Sequence, residues 1–406
     1  MGVLPSEELV VIHPADPTVI TVNCPDKRGL GCDLTRIIFE FGLSLVRGDV
    51  QTDGRWCLLV FWAVPRITTA KPIQWGLLRK RMIAACPPEN QVFVPVDPDF
   101  VTSPLKLFLL QVYSADRAGL LHDMSRILWE LELTVHKVKA STCPDGKVID
   151  FFIISDNKLL LPSRERTLEV CERIKNLMGG LQSKCELKEA GPEYGGLMCT
   201  PALNLPPSVS ELLSSGVNSQ QNGDTPRVTI DDLLSPAHTL LQISCRDRKG
   251  LLYDCLRVLK DFNYQVAYGR LSMSTIDKGR GEIDLFITQA DGRKLVDPEK
   301  QKALCERVVR DVANPLWVTV LPRGPDSELF VATPIELSGK GRPRVLYDVT
   351  LALKMLDVCI FQADIGRHTI GDMQWEIYRV LLIDSGDLSQ RMHELIGERV
   401  RNVLMG

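Results

Sequence analysis

Asp26, Gly29, Asp33 and Arg36 stand at offsets 0, 3, 7 and 10 in "PDKRGLGCDLTR". The offsets return as Asp116, Gly119, Asp123 and Arg126 in "ADRAGLLHDMSR", and as Asp247, Gly250, Asp254 and Arg257 in "RDRKGLLYDCLR". A glycine at the start of a helix permits unusual dihedrals and lets a neighbour approach the backbone closely. The helix start also offers unpaired N–H groups and the positive end of the dipole, a setting that receives carboxylates or phosphates. An aspartate three residues earlier can cap those N–H groups or accept from a ligand ammonium group. The same pattern also serves as plain turn chemistry between strand and helix. The Asp33–Arg36, Asp123–Arg126 and Asp254–Arg257 spacings read as solvated i,i+3 ion pairs on an exposed helix face.

The rest of the chain offers little other chemistry. "HD" at His122–Asp123 would be a metal-ligand dipeptide in a phosphohydrolase, but Cys32 and Tyr253 fill the place of His122 in the other copies. No P-loop, G-x-S-x-G or H-E-x-x-H occurs, so the chain reads as non-catalytic, with no cofactor and no metal. Twelve cysteines are scattered without a C-x-x-C pair, several of them, such as Cys57, Cys171 and Cys305, at apolar positions of periodic segments. Buried free thiols in a reducing compartment follow, the cytoplasm, with the nucleus left open. A net charge of −3 gives no case for nucleic acid. The longest apolar run, "CLLVFWAV", is far short of the roughly 20 residues of a membrane span, and no secretory signal is visible. "MGVLPS" matches the pattern for myristoylation at Gly2 and reads as accidental because the pattern is so short; Glu7 and Glu8, which follow it, also oppose binding to anionic lipid.

The elements that position these turns repeat as well. "LKLFLLQVYS" reads as a strand, and Gly119 then opens a helix with one apolar face through Leu120, Leu121, Met124, Ile127, Leu128 and Leu131. "LTVHKVKAST" and "VIDFFIIS" are paired strands about the turn "CPDGK". "SRERTLEVCERIKNLMG" is a second helix and "SKCELKE" a closing strand. This β-α-β-β-α-β order predicts an α+β protein of tandem ferredoxin-like modules. Modules are expected at 18–97, 105–190, 238–322 and 328–406, with a flexible linker at 191–235 rich in Gly, Pro, Ser, Asn and Gln. The fourth stops after its second helix, and its turn has decayed: Gly341 stands for the first Asp and Arg344 for the Gly. Spacing suggests that modules one and two pair, and three and four. The open edge of 328–337 then needs a cover, for which "PRVTI" (226–230) is the favoured segment.

A β-α-β-β-α-β repeat with "D-x-x-G-L-[LG]" at its first turn resembles the ACT domain, and its repetition without a catalytic domain resembles the plant ACT-domain repeat proteins. These are similar in turn to the C-terminal ACT region of bacterial uridylyltransferases. The resemblance implies a regulatory protein that binds a free amino acid or related metabolite where two modules meet, and that controls a protein partner or forms a homo-oligomer. Neither nucleic acid nor membrane is implied. Carried onto this sequence it points to Asp26, Gly29, Leu30, Asp116, Gly119, Leu120, Asp247, Gly250 and Leu251. A scaffold of paired sheets that binds no metabolite is the alternative.

Overall fold

The computed structural model describes residues 8–65, 73–88, 106–179, 183–191, 200–201, 205–215, 225–273, 279–324, 326–371, 373–383 and 390–406. Module one runs β1 (Val10–His13), β2 (Thr18–Pro25), α1 (Leu30–Glu40), β3 (Leu43–Thr52), β4 (Trp56–Pro65) and α2 (Trp75–Ala85). Module two runs β5 (Phe108–Ala115), α3 (Leu120–Glu130), β6 (Leu133–Thr142), β7 (Lys147–Asp156), α4 (Arg164–Met178) and β8 (Lys184–Glu189). Within the stretch expected to be a linker lie β9 (Thr200–Pro201), α5 (Pro207–Ser215) and β10 (Arg227–Asp231). Module three continues with β11 (Thr239–Arg246), α6 (Leu251–Asp261), β12 (Gln265–Met273), β13 (Arg280–Thr288) and α7 (Pro298–Ala313). Module four comprises β14 (Trp317–Arg323), β15 (Asp326–Pro334), α8 (Val345–Met355), β16 (Ile360–Ile370), β17 (Met373–Leu382) and α9 (Gln390–Met405).

The strands alternate buried and half-buried residues, as in β2, because one face of each sheet is covered by helices. Helices α1, α3 and α6 lay their apolar stripes on that face. Ser163 and Asp297 cap α4 and α7, accepting from the N–H groups of Arg166 and Glu299.

The pairing of modules differs from the sequence expectation. One sheet has the order β1-β2-β4-β3-β12-β13-β11-β10, joining modules one and three. The other has the order β14-β15-β17-β16-β6-β7-β5-β8, joining modules two and four, with β9 alongside β16. The joints are antiparallel: Val50 opposes Gly269 where β3 meets β12, and Ala140 opposes Ala363 where β6 meets β16. Chain proximity is a weak guide here, because each doubling of a loop costs only about 0.6 kcal/mol. Which second-strand edges fit each other outweighs it.

The cover beside strand one also differs. β14 pairs with β15, Val320 opposite Leu329, so the first strand of module four is closed by a segment expected to end module three. The "PRVTI" segment instead forms β10 and covers β11, the first strand of module three. β1 does the same for β2. Of the four modules, the second takes this strand from its C-terminal end, where β8 pairs with β5. The slot accepts either source because both run antiparallel to strand one. The hairpin from Arg323 to Asp326, with Gly324 at φ +68°, is the shorter closure.

Two apolar cores lie under the two sheets, and the helical layers meet across polar contacts. The carboxylate of Glu336 is fully buried there and accepts from Arg36 (2.8 Å), Tyr253 Oη (2.8 Å) and Lys260 (3.2 Å). Lys249 Nζ donates to Asp348 at 2.5 Å, and Phe41 meets Trp129 edge-on with ring centroids 5.3 Å apart. The eleven described cysteines are free thiols; Cys57 and Cys171 are buried and Cys305 half-buried. Among the described residues no helix is long and apolar enough to cross a membrane.

Because each sheet joins one module from either half of the chain, a fragment of residues 1–190 should not be self-sufficient. Co-expressed with 225–406, it should elute as a one-to-one complex in size-exclusion chromatography. Two independent, stable monomers would contradict the interleaved pairing.

Candidate functional site

Gly29, Gly119 and Gly250 each precede the first residue of a helix in the left-handed region, with φ of +71°, +73° and +80°. The backbone demand alone explains glycine. The surroundings add a second reason, since each turn is closely overlaid by the neighbouring module of its sheet. A Cβ at Gly29 would lie 2.9 Å from Cδ of Lys260, one at Gly119 2.7 Å from Cδ of Lys354, and one at Gly250 2.5 Å from Cε1 of Phe39. These three overlying residues occupy the same place, the tenth residue of the first helix of their module. Antiparallel pairing of the modules brings the end of one first helix over the start of the other.

The aspartates of the motif do not cap the helices; no side chain caps α1, α3 or α6. Thr52 Oγ1 instead donates to Asp26 at 2.6 Å, and Thr142 Oγ1 to Asp116 at 3.0 Å, so each carboxylate is held by the end of the second strand. Burial pushes the Asp26 carboxyl up, and Gln265 also donates to it, at 3.3 Å. Asp247 joins the loop to the next hairpin, its N–H donating to Gly279 O at 2.7 Å. Leu30, Leu120 and Leu251 are buried as the first helical residues and line the spaces beside their turns.

The i,i+3 ion pairs expected from sequence are absent as such. Asp33 accepts from Lys260 at 2.9 Å and pairs with Lys27 at 3.2 Å; Asp123 accepts from Lys354 at 2.9 Å and pairs with Arg117 at 2.7 Å. Asp254 pairs with Arg248 and Arg342 and is fully buried. Arg36 turns to Glu40 and Glu336, Arg126 to Glu130, and Arg257 to the buried Asp311. The helix face carrying these residues is an interface between modules, not a solvated surface. Burial pushes the carboxyls of Asp33 and Asp123 up, but the lysines and Lys27 or Arg117 outweigh it, and both titrate below their ordinary value.

The turns differ in how much space they keep. Beside Gly250 only about 20 Å³ remains, because Phe39 and Arg342 fill the position; the Arg342 guanidinium lies over the Phe39 ring at 5.0 Å. Beside Gly29 about 50 Å³ remains. Beside Gly119 there is a cavity of about 280 Å³. The two lysine-covered sites share one plan, so the difference can be traced residue by residue. Val50, Leu256 and Tyr264 line the smaller site, and Ala140, Thr350 and Val358 stand in their places in the larger one. Each exchange removes volume from the wall.

The walls of the large cavity are mixed. Asp116, Arg117, Thr142 and Lys354 are at the turn, Leu120, Val148, Leu353 and Phe361 are apolar, and Asp150 lies among them, 3% exposed. Burial and the nearby Asp116 push the Asp150 carboxyl up to about 7. His122 is buried against Tyr347, with Nδ1 3.3 Å from Thr350 Oγ1. Burial and the Lys354 ammonium push it down to about 4. It is part of the cavity wall, and no metal-holding cluster occurs among the described residues.

At the fourth turn, Arg344 adopts the glycine conformation with φ +64° and donates from its guanidinium to Glu40 O at 3.1 Å. A Cβ at Gly341 would meet the Glu376 carboxylate at 2.5 Å, so nothing replaces the lost Asp. Module four brings a wall to its neighbour's site and grips the end of α1. Lys260, Lys354 and Asp150 escaped the sequence reading, although aligning the repeats places both lysines at one position and sets Asp150 where Leu59 and Ile283 stand.

Paired βαββ modules with a glycine turn under a neighbour's helix end define a chain of tandem ferredoxin-like modules. The comparisons with known proteins agree. Residues 227–326 match the family described as "ACR9-like, ACT-like domain", residues 327–406 "ACT domain-containing protein ACR9, C-terminal", and residues 10–87 "ACT domain-containing protein ACR10, N-terminal". The chain is 46% identical to ACT domain-containing protein ACR9 and 44% identical to ACR10, both of Arabidopsis thaliana, each over the full length of both chains. A bifunctional uridylyltransferase/uridylyl-removing enzyme of Azospirillum brasilense is 34% identical over 22% of this chain and 9% of that protein. The chain belongs to the ACT domain-containing protein family of ACR9 and ACR10. The match over residues 227–326 begins at β10, which covers the first strand of module three, and ends after β14, which in the structure pairs with β15 of module four.

Gly54 has φ +85° and open space around its Cβ position, so Gly54→Ala reports the backbone cost alone, about 1–2 kcal/mol. Gly119→Ala should cost up to about 1 kcal/mol more in chemical denaturation, because Lys354 must leave Asp123. Equal costs would show that the overlay is loose. The depressed carboxyls of Asp33 and Asp123 give stability that is present above the ordinary 3.8 and lost as pH falls through their lower folded values. Replacing both by Asn should flatten the acid limb of melting temperature against pH.

Proposed function

We propose that the chain is a non-catalytic regulatory protein that binds a free amino acid or closely related metabolite between modules two and four and controls a protein partner through that binding. The observation that carries the reading is the cavity of about 280 Å³ beside Gly119, just below the size of drug-sized pockets and suited to one small metabolite. At its mouth the N–H groups that open α3 have no side-chain cap and favour a carboxylate. Asp116 supplies an acceptor for an ammonium group; among the described residues Thr142 is the one side chain that donates to it.

Asp116, Gly119 and Leu120 are therefore the assigned ligand residues. Asp26, Gly29 and Leu30 form a contracted version in which Gln265 already occupies the aspartate. Asp247, Gly250 and Leu251 form a closed one. Binding at the joint between modules favours the arrangement that closes on the ligand, which is the physical route from occupancy to a partner surface.

Calorimetry with each of the twenty amino acids at millimolar concentration tests the reading. At least one should bind, and should raise the melting temperature as a ligand of the folded state does. Asp116→Asn should weaken that binding about tenfold to hundredfold, the worth of a charged hydrogen bond, whereas Asp26→Asn should leave it unchanged. If no amino acid gives heat, the scaffold reading takes its place.

A further inference from the structure

We infer that Asp150 makes the cavity between modules two and four selective for an amino acid whose side chain ends in a cation, a diamino acid rather than an apolar or acidic one. This inference rests on the proposed amino-acid site and names its ligand class. Asp150 sits on β7 opposite Val112 and Ala140 and lines the same cavity as Gly119 and Asp116. The equivalent strand position, opposite the same residue of strand one, is Leu59 in module one and Ile283 in module three. A carboxyl buried where the fold is content with a hydrocarbon is costly unless something compensates it. No salt bridge reaches Asp150 among the described residues; the Ser141 N–H donates to its carboxylate, and the charge that acts on it is another carboxylate, Asp116.

The rest of the lining divides the ligand's groups. The carboxylate belongs at the N–H groups of α3, on the side of Arg117 and Lys354. The α-ammonium belongs to Asp116. The apolar wall of Val148, Leu353 and Phe361 suits a methylene chain, which leaves its far end beside Asp150. A terminal ammonium there meets an acceptor. An apolar end of equal length leaves Asp150 with the Ser141 N–H but no counter-charge, and a carboxylate end adds a third negative charge to Asp116 and Asp150. The charged or titratable groups around this point are Asp116, Arg117, His122, Lys354 and Cys359. His122, held near 4, stays neutral between pH 6 and 8, whereas Asp150, near 7, gains its charge across that range.

Calorimetry on the full chain with L-lysine, L-ornithine and L-norleucine at pH 8 tests this. The diamino acids should bind about tenfold to hundredfold more tightly than norleucine, their neutral counterpart. Asp150→Asn keeps the shape and should abolish the preference. Asp150→Leu, the residue of module one, should reverse it while retaining cooperative unfolding. Lysine affinity should rise from pH 6 to pH 8, and norleucine affinity should stay flat. Equal affinity for lysine and norleucine, or a preference that survives both variants, overturns the inference while leaving an amino-acid site in place. Failure of the native chain to bind any of the twenty amino acids overturns the site and the inference with it.

Discussion

The antiparallel joint between second strands is the contact on which the rest of the molecule depends. Where β3 meets β12 and where β6 meets β16, two four-stranded sheets become one. The same operation sets first helices side by side in opposite directions, so the end of each covers the start of the other. Much of the candidate sites follows from that geometry: a lysine or phenylalanine of the joined module lies over each glycine turn, and Asp33 and Asp123 find a lysine partner on that module. A chain with modules of the same fold but no such joint would have turns open to water and no cavity.

The two joined sheets are not independent. Glu336, in the loop before α8, lies buried between α1 and α6 of the other sheet and accepts from Arg36, Tyr253 and Lys260. Burial pushes its carboxyl up, but Arg36 and Lys260 outweigh this and hold it below its ordinary value. Buried ion pairs of this kind are weak sources of net stability, since desolvation offsets much of the attraction. They do constrain arrangement: a charge buried at one place has few alternative partners. Lys260 touches Asp33 at one turn and Glu336 of the other pair at once. A change at one turn therefore has a physical connection to the opposite sheet.

Local order was legible because the repeats spell it out. Strand and helix periods are clear, glycines mark the first-helix starts of three modules, and "LTVHKVKAST" matches β6 residue for residue. The fold class follows from these local signals. What was not legible depends on contacts between modules. Nothing in a strand's own sequence says which other edge it joins, so the joining of modules one and three is invisible before the structure. Nor does an antiparallel edge slot reveal whether its occupant arrives from before or after, which is why Trp317–Arg323 and Arg227–Asp231 were assigned to the wrong neighbours. The charges of the first helices read as solvated because a polar face normally is. Here a second helical layer covers it, and Asp254 and Arg257 are buried.

Divergence among the four turns follows from the same joint. A glycine turn under a helix end can be emptied or filled by changing single residues on the covering module, without touching the turn's own backbone. Phe39 fills the space over Gly250, and Tyr264 and Leu256 reduce the space beside Gly29. Val358 and Thr350 leave it open beside Gly119. Arg344 goes furthest, keeping the left-handed backbone at φ +64° while its side chain leaves for Glu40 O. Non-glycine residues bear strain in that conformation, and it persists where surrounding contacts fix it. The fourth turn thus retains its shape because the joint requires a helix to start there, even though the residues suited to a ligand have been replaced. Fold and site are separable in this chain: the joint preserves the first in all four modules, and the covering residues decide which of them retains the second.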